Sequence, residues 1–198
     1  MTTPPARLTA AESTLLVIDA QEKLLAAIPG MPRLLLNLSF LLDAARAQGV
    51  RILATEQYPK GLGPTHPAII DRLPKDRPTK VVFGCGGVPE VIDALAGRST
   101  VLLAGIEAHV CVLQTALDLM DRGLQVFVAA DAVASRDEFD RDVALRRVER
   151  AGAVLITAET AAFEWLGSAA SPAFKTVSLL VQERSRRLRE LTASGVPS

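Results

Sequence analysis

Three residue types in this sequence match what nucleophilic hydrolysis requires: a thiol, a carboxylate and an amine. Cys111 follows an apolar run and the turn at 105–110, at the predicted start of a helix. The positive end of a helix dipole lowers the pKa of a thiol there, and free backbone N–H groups can hold an oxyanion. Asp19 ends one apolar run and Lys80 opens another. A lysine nearby would favour thiolate, and a carboxylate nearby would accept the thiol proton.

Each of these residues also has a purely structural interpretation. A single cysteine is usually a small buried side chain, Asp19 can be a cap or part of a structural salt bridge, and Lys80 can be an exposed lysine. His109 can act as a base toward Cys111, although residues two apart at a helix start need not face each other. His66 lies in a long loop, and we expect it to be solvated rather than catalytic.

A second motif points to cofactor binding instead. Residues 83–87 read Phe-Gly-Cys-Gly-Gly after an apolar run and before a helix, like the glycine loops of nucleotide-cofactor folds. The match is poor, because no acidic residue precedes Gly84, the third spaced glycine is missing and the loop follows the third strand. Binding of S-adenosylmethionine or NAD is kept as an alternative that thermal stabilisation by either compound would reveal.

The elements that must position these residues are short apolar runs alternating with helices. The runs lack polar alternation, as strands covered on both faces do, and span 15–18, 50–54, 80–83, 100–104, 125–129 and 153–156. Helical patterns cover 32–48, 89–96, 110–122, 138–151, 160–166 and 173–191, the last with a polar face of Glu183, Arg184, Arg186, Arg187, Arg189 and Glu190. The alternation predicts an α/β fold, a Rossmann-like three-layer α/β/α sandwich with a mainly parallel six-stranded sheet.

We expect one domain over residues 1–198, with a C-terminal helix within 171–191. Segment 56–79 interrupts the alternation. Its prolines and glycines predict a loop, with one short helix after Pro67, rather than a buried element, and long loops in compact domains are often functional. It leaves the end of a strand, where ligands bind in open α/β sheets.

Composition excludes several classes of protein. Lys and Arg number 22, as do Asp and Glu, and aromatic residues make up 4%, which argues against a nucleic-acid partner. Hydrophobic residues at 49% exclude global disorder. Two cysteines do not make a disulfide scaffold and are expected to be free thiols in a reducing compartment. With no signal peptide and no apolar stretch of roughly 20 residues, we expect a cytoplasmic protein without a membrane partner.

The segments that carry the three chemical residues resemble the isochorismatase-like cysteine hydrolases, a superfamily that includes nicotinamidases and N-carbamoylsarcosine amidohydrolases. The resemblance covers about residues 10–165 in order and spacing. It is most specific at 105–112, which reads Gly-Ile-Glu-Ala-His-Val-Cys-Val, and it includes 15–21, 55–59, 80–83 and 131–136. The details resemble the isochorismatase-domain-containing branch.

The resemblance implies a catalytic triad of Asp19, Lys80 and Cys111. Cys111 would attack an electrophilic carbon, Asp19 would accept the thiol proton and pass it to the leaving group, and Lys80 would keep Asp19 charged and favour thiolate. The resemblance also implies a non-proline cis peptide between Ile106 and Glu107. That turn would aim the N–H groups of Glu107 and Cys111 at the oxyanion.

Motif position also assigns a substrate pocket lined by Gln21, Glu56, Tyr58, Phe83 and His109. Nicotinamidases hold a metal with an Asp and two His after the second strand, but residues 56–61 here read Glu-Gln-Tyr-Pro-Lys-Gly. Because zinc-type spacing of Cys and His is also missing, we expect no metal, no cofactor and a substrate other than nicotinamide.

Family members that cleave the vinyl ether of isochorismate lack the cysteine, so its presence here favours amide-type hydrolysis. The main hypothesis is a metal-free cysteine hydrolase that acts on a small amide, carbamoyl or related C–N bond through a thioester-type intermediate. The alternative is a catalytically weak oligomeric binding or scaffold protein of the same fold, for which a broken triad would be the sign. The family and the apolar helix positions imply a homo-oligomer.

Overall fold

The computed structural model describes residues 7–196. Its sheet has six strands: β1 Ser13–Ile18, β2 Arg51–Gln57, β3 Thr79–Lys80, β4 Thr100–Ile106, β5 Gln125–Ala134 and β6 Val154–Ile156. Their order is β3-β2-β1-β4-β5-β6, and each neighbouring pair is parallel. The predicted parallel six-stranded sheet is therefore confirmed.

Helices connect the strands. They are α1 Glu22–Leu25, α2 Met31–Ala47, α3 Pro59–Leu62, α4 Pro67–Ile70, α5 Pro89–Leu95, α6 Leu113–Asp121, α7 Glu138–Arg150, α8 Ala158–Leu166 and α9 Phe174–Ala193. A π-helix, Ala108–Val112, runs directly into α6. The helix predicted from residue 110 therefore begins slightly earlier and with wider turns.

The two faces of the sheet bury separate apolar cores. Along β1, Leu15 and Val17 join a core with α2, α8 and α9, whereas Leu16 and Ile18 join a core with α5, α6 and α7. Successive side chains of a strand point to opposite faces, so β1 is apolar throughout because both of its faces are covered. The result is the expected three-layer α/β/α sandwich.

The strand order reverses between β1 and β4. From β1 the sheet grows to β2 and β3 on one side and to β4 on the other, so β1 and β4 lie side by side with diverging connections. Ligands of open α/β sheets bind outside the carboxyl ends of strands at such a point. The backbones of β1 and β4 approach each other closely there. A Cβ on Gly105, at φ +110°, would lie 2.1 Å from the carbonyl oxygen of Ile18.

The third strand is shorter than predicted. Only Thr79 and Lys80 pair with β2, and the side chains of Val81, Val82 and Phe83 are exposed. The carbonyls of Val82 and Phe83 turn back toward the ammonium of Lys80, which removes them from the sheet edge. The assignment of 81–83 to a buried strand was wrong because apolar content alone does not show pairing.

Segment 56–79 is also more ordered than a surface loop. It contains the short helices α3 and α4, and Thr65, Ile69 and Leu73 are buried. Thr65 forms an isolated antiparallel bridge with Gln21, which follows β1. The segment is therefore packed against the carboxyl edge of the sheet, contrary to the prediction that it holds no buried element.

The polar face predicted for the last helix was wrong at Arg184, which is buried. Its guanidinium donates to Asn37 Oδ1 at 2.9 Å, Glu159 Oε2 at 3.0 Å and Asp131 Oδ2 at 2.8 Å. These partners lie on α2, on α8 and in β5. A charged side chain can be buried when it is paired, so Arg184 fastens α9 to the rest of the fold.

Both cysteines are free and buried, as the expectation of free thiols requires. Across residues 7–196, none of the helices combines the length and the apolar character that crossing a membrane requires.

Candidate active site

A buried ion pair lies at the carboxyl end of β1. Asp19 directly follows this strand, with φ +50°, and accepts a hydrogen bond from the ammonium of Lys80 at 2.6 Å. Thr55 Oγ1 donates to its other oxygen, Oδ1, at 2.8 Å. Both carboxylate oxygens are thereby engaged, which fixes the orientation of Asp19.

The ammonium of Lys80 has further acceptors on its own side. Gln57 Oε1 lies 2.7 Å away, the carbonyl of Phe83 2.9 Å and the carbonyl of Val82 3.4 Å. An ammonium has three N–H donors, so Asp19, Gln57 and Phe83 are sufficient to use all of them. Lys80 is therefore held as a fixed charge beside Asp19.

Cys111 is the fourth residue of the π-helix and lies beside this ion pair. The pKa of its thiol is raised to about 12, first by burial and then by the negative charge of Asp19, while the charge of Lys80 acts to lower it. The expectation of a lowered thiol pKa was wrong for the resting site, since burial and Asp19 outweigh Lys80. The resting group is a neutral thiol near a carboxylate.

The turn before the nucleophile has the expected cis peptide between Ile106 and Glu107. The side chain of Glu107 is directed to the end of β5, where Oε2 accepts from the backbone N–H and from Nε of Arg136, both at 3.0 Å. This pairing ties residue 107, in the turn after β4, to residue 136, in the turn after β5.

The ring of His109 has partners other than Cys111, which argues against its acting as a base toward that thiol. Its Nδ1 lies 2.9 Å from Ser135 Oγ, and its Nε2 lies 3.8 Å from the carboxylate of Asp140. The ring therefore contacts the end of β5 and the start of α7. The carboxylate whose charge acts on the thiol of Cys111 is that of Asp19.

Two residues predicted for the pocket brace the loop that follows β2. The amide of Gln21 donates to the carbonyls of Gln57 and Gly63 and accepts from the N–H of Gln57 at 2.7 Å. These contacts join the segment after β1 to the end of β2. Because they use both the oxygen and the nitrogen of its side chain, Gln21 acts on the site through the backbone that it holds.

Glu56 is the second of these bracing residues. Its Oε1 accepts from the N–H and the hydroxyl of Thr65 and from Nε of Arg77. Burial alone would raise the pKa of Glu56, but the hydrogen bonds from Thr65 and Arg77 outweigh it and lower the pKa below its ordinary value. Glu56 is thus a charged anchor for segment 56–79.

The remaining predicted pocket residues are more accessible. Tyr58 is 53% exposed and Phe83 is 51% exposed, so their rings are available to a bound molecule. His66 is half-buried at the start of α4, where Nδ1 accepts from the N–H of Ala68. Pocket roles for Gln21, Glu56, Tyr58, Phe83 and His109 stay predictions.

Sequence reasoning missed Thr55 and Gln57, which touch Asp19 and Lys80. Both lie near the end of β2, two positions apart, and therefore on one face of the strand. The sequence signal that could have found them is the presence of two polar side chains at the buried end of a strand. Among residues 7–196, no group of three or more His, Cys, Asp or Glu side chains is arranged to hold a metal ion.

A parallel α/β sheet that places an Asp–Lys pair and a cysteine at its carboxyl edge defines the class of isochorismatase-like proteins. The isochorismatase domain matches residues 13–160, and the chain belongs to that family. It is 39% identical over 171 residues to human isochorismatase domain-containing protein 2, covering 86% of this chain and 83% of the relative. The mouse protein 2A is 42% identical over 175 residues, with the same coverage.

Solved structures agree. The chain superposes on a Caenorhabditis elegans protein described as MAR1 ribonuclease with a TM-score of 0.85 and 42% identity, covering 89% of this chain and 93% of that one. It also matches the Escherichia coli YcaC gene product, described as an octameric hydrolase of unknown specificity, with a TM-score of 0.87 and 25% identity over 98% of both chains. At the level of the family, the chain is a hydrolase.

Proposed function

We propose that the protein is a cysteine hydrolase that cleaves a small amide, carbamoyl or related C–N bond without a metal. The observation that carries the proposal is the buried ion pair of Asp19 and Lys80, 2.6 Å apart, with Cys111 close enough for both charges to act on its thiol. A nucleophile beside a base that is itself oriented by a third group is the arrangement of covalent catalysis. The triad is Asp19, Lys80 and Cys111.

In the first step, Cys111 Sγ attacks the carbonyl carbon while its proton passes to Asp19. The raised thiol pKa means that the proton leaves during the attack rather than before it. The ammonium of Lys80 stays beside Asp19, because its donors are used by protein acceptors, and its charge attracts the carboxylate. General-base assistance of this kind contributes about 10²–10⁴ to a rate.

The oxygen of the tetrahedral intermediate is assigned to the backbone N–H groups of Glu107 and Cys111. The first N–H groups of a helix lack acceptors from a preceding turn, and donors that face a developing oxyanion lower the barrier. Protonated Asp19 then donates its proton to the leaving nitrogen, which departs as an amine or ammonia. The products of this half-reaction are the thioester at Cys111 and a carboxylate base restored for the second half.

Water hydrolyses the thioester in that second half. Asp19 accepts a proton from the water as it attacks, and returns the proton to Sγ as the thiol leaves. Cys111 is only 6% exposed, so a small substrate would reach it more easily than a bulky one. A metal-free site is supported by the side chains of residues 56 and 57, since Glu56 is bonded by Thr65 and Arg77 and the amide oxygen of Gln57 by Lys80.

Ribonuclease activity, named for the Caenorhabditis elegans relative, is the rival hydrolysis. Cleavage of a phosphodiester places charge on phosphoryl oxygens, which enzymes stabilise with cations that face the substrate. The ammonium in this site faces Asp19, Gln57 and Phe83 instead. This difference favours a carbonyl substrate over a phosphodiester.

A homo-oligomer is the assembly that we infer. The Escherichia coli relative is described as octameric, and Val81, Val82 and Phe83 form a continuous exposed apolar segment beside Lys80. Apolar segments of this kind are covered in protein–protein contacts. We also infer a cytoplasmic location, because free thiols persist in reducing compartments.

The test compares wild type with Cys111→Ala and Cys111→Ser on a panel of small amides and carbamoyl compounds, with ammonia release and intact mass as readouts. We expect release by wild type alone and an acyl adduct on the peptide that contains Cys111. An RNA substrate is run in parallel. Equal release by wild type and Cys111→Ala would overturn the proposal and favour the scaffold alternative, and RNA cleavage that requires Cys111 would favour the rival hydrolysis.

A further inference from the structure

The glycine segment of residues 84–87 has a role other than cofactor binding. It follows the exposed residues 81–83 and leads into α5, and it packs against α6. Two of its glycines are required by that packing. A Cβ on Gly84 would lie 2.2 Å from Asp118 Oδ2, and one on Gly86 would lie 2.3 Å from Asp118 Cβ. A nucleotide phosphate placed beside these glycines would face the carboxylate of Asp118, which already accepts from the N–H of Gly86.

Three hydrogen bonds clamp this segment to α6. Thr115 Oγ1 accepts from the N–H of Cys85 at 3.0 Å, and Asp118 Oδ2 accepts from the N–H of Gly86 at 3.3 Å. Arg122, which directly follows α6, donates from Nη2 to the carbonyl of Gly86 at 2.7 Å. Thr115 is fully buried.

The clamped segment is linked to both members of the ion pair, to Lys80 through Phe83 and to Asp19 through Thr55. The carbonyl of Phe83, directly before it, accepts from Lys80 at 2.9 Å. On the other side, Cys85 Sγ lies 4.0 Å from Thr55 Oγ1, the hydroxyl that donates to Asp19 Oδ1. A displacement of the segment would therefore be felt at Lys80 and at Asp19.

The clamp and the nucleophile share one helical segment. The π-helix and α6 are continuous from Ala108 to Asp121, and Cys111, Thr115 and Asp118 are spaced by four and three residues. Residues with this spacing lie on one face of a helix. One helix face thus carries the nucleophile at its start and the support for the lysine's acceptor farther along.

We propose that Thr115 and Asp118 are positioning residues for Lys80, which fix the carbonyl of Phe83 and so set the ammonium relative to Cys111. Their catalytic role rests on the proposed hydrolysis by Cys111. The geometric claim itself does not require turnover. It explains why the motif has glycines where Asp118 approaches.

The experiment follows the side-chain ammonium of Lys80 by NMR in protein labelled with a heavy nitrogen isotope at lysine, assigned with Lys80→Met. Thr115→Val and Asp118→Ala are compared with the conservative Thr115→Ser and Asp118→Asn and with Asp121→Ala, a neighbouring exposed acid without a bond to the segment. We expect the first two variants to shift the Lys80 signal and speed its proton exchange by at least about tenfold. Thr115→Ser and Asp121→Ala should resemble wild type.

A second readout uses catalysis. The assay uses a substrate identified in the amide panel. We expect kcat of Thr115→Val to be about tenfold below that of wild type and KM to stay within about twofold, because the change acts on positioned groups rather than on binding. An unchanged Lys80 signal and exchange rate in both Thr115→Val and Asp118→Ala would overturn the inference. Should Asp118→Ala fail to fold, Thr115→Val decides, with Thr115→Ser as its control. If no amide is turned over but the signal responds as expected, the proposed function fails and the clamp stands.

Discussion

Lys80 Nζ lies 2.6 Å from Asp19 Oδ2, and both side chains are closed to solvent. Removing two charges from water is costly, and their attraction offsets that cost only when the remaining donors and acceptors are also bonded. Here Thr55 and Gln57 supply those bonds, one on each side of the pair. Together with the carbonyl of Phe83 on Lys80, these side chains and the ion pair form one bonded unit.

The first prediction concerns the stability of that unit. Lys80→Met leaves an uncompensated buried carboxylate and should lower the free energy of unfolding by about 3–5 kcal/mol. Asp19→Asn should also destabilise the protein, but the double variant should lose less than the sum of the single losses, because neither then buries an unpaired charge. Urea unfolding of the four proteins measures the cycle. Additive losses would show that the two groups do not stabilise each other.

A second prediction separates Arg184 from its exposed neighbours on α9. Arg184→Met removes the cation that faces Asp131 and Glu159, and we expect it to cost about 3–5 kcal/mol. The matched control is Arg187→Met, which breaks an exposed pair with Glu183 and should cost about 1 kcal/mol or less. Urea unfolding compares the two variants, and equal losses would contradict the structural assignment of Arg184.

The sheet was predictable from the apolar runs, whereas the triad of Asp19, Lys80 and Cys111 was predicted from the family resemblance, because the runs alone put Lys80 at the start of a strand. Doubly covered strands leave uninterrupted apolar runs, and carboxyl ends of parallel strands meet at one edge. Arg184 was not predictable, because a helix pattern gives the spacing of an arginine but not the distant carboxylates that face it. The prediction of a lowered pKa for the Cys111 thiol failed for a related reason. Local dipole and charge arguments omit burial, which only the complete fold determines.

The same limit applies to residues 81–87. Val81, Val82 and Phe83 have the composition of a strand, and the glycines after them have the composition of a phosphate loop. The chain leaves the sheet because Lys80 takes the carbonyl of Phe83, and the glycines are present because Asp118 is close. Both causes are contacts between distant segments, which short motifs do not encode.

The third prediction concerns pH. The pKa of Glu56 is lowered in the folded state, so its carboxylate contributes stability above its ordinary value of 4.5, and this contribution is lost as the pH falls through the lower folded pKa. Glu56→Gln keeps the shape but removes the charge. We therefore expect the stability difference between wild type and Glu56→Gln to be largest at neutral pH and to shrink well below pH 4.5. Urea midpoints across this range measure it, and a difference that is independent of pH would contradict the role assigned to the charge.

The fourth prediction concerns the thiol of Cys111. Since its pKa is about 12 in the wild type, its alkylation by iodoacetamide should become faster with every increase in pH over the neutral to mildly alkaline range. Asp19→Asn removes the negative charge and the carboxylate contact that raise this pKa, while the charge of Lys80 continues to lower it. The variant should therefore alkylate faster than wild type at the same pH, although hydrolysis is lost with the proton acceptor.

Peptide mass spectrometry of Cys111 measures both rate profiles, with Asp121→Asn as a control for the loss of an acid elsewhere. This opposition between labelling and turnover distinguishes a general base from a group that merely supports folding, since unfolding would expose Cys85 and Cys111 alike. The role of Asp19 as general base would be contradicted if the alkylation rate of Cys111 in Asp19→Asn rose over the same pH range as in wild type, or over a higher one. Faster labelling of Cys111 alone, together with lost hydrolysis, would place the thiol proton on Asp19 during the attack.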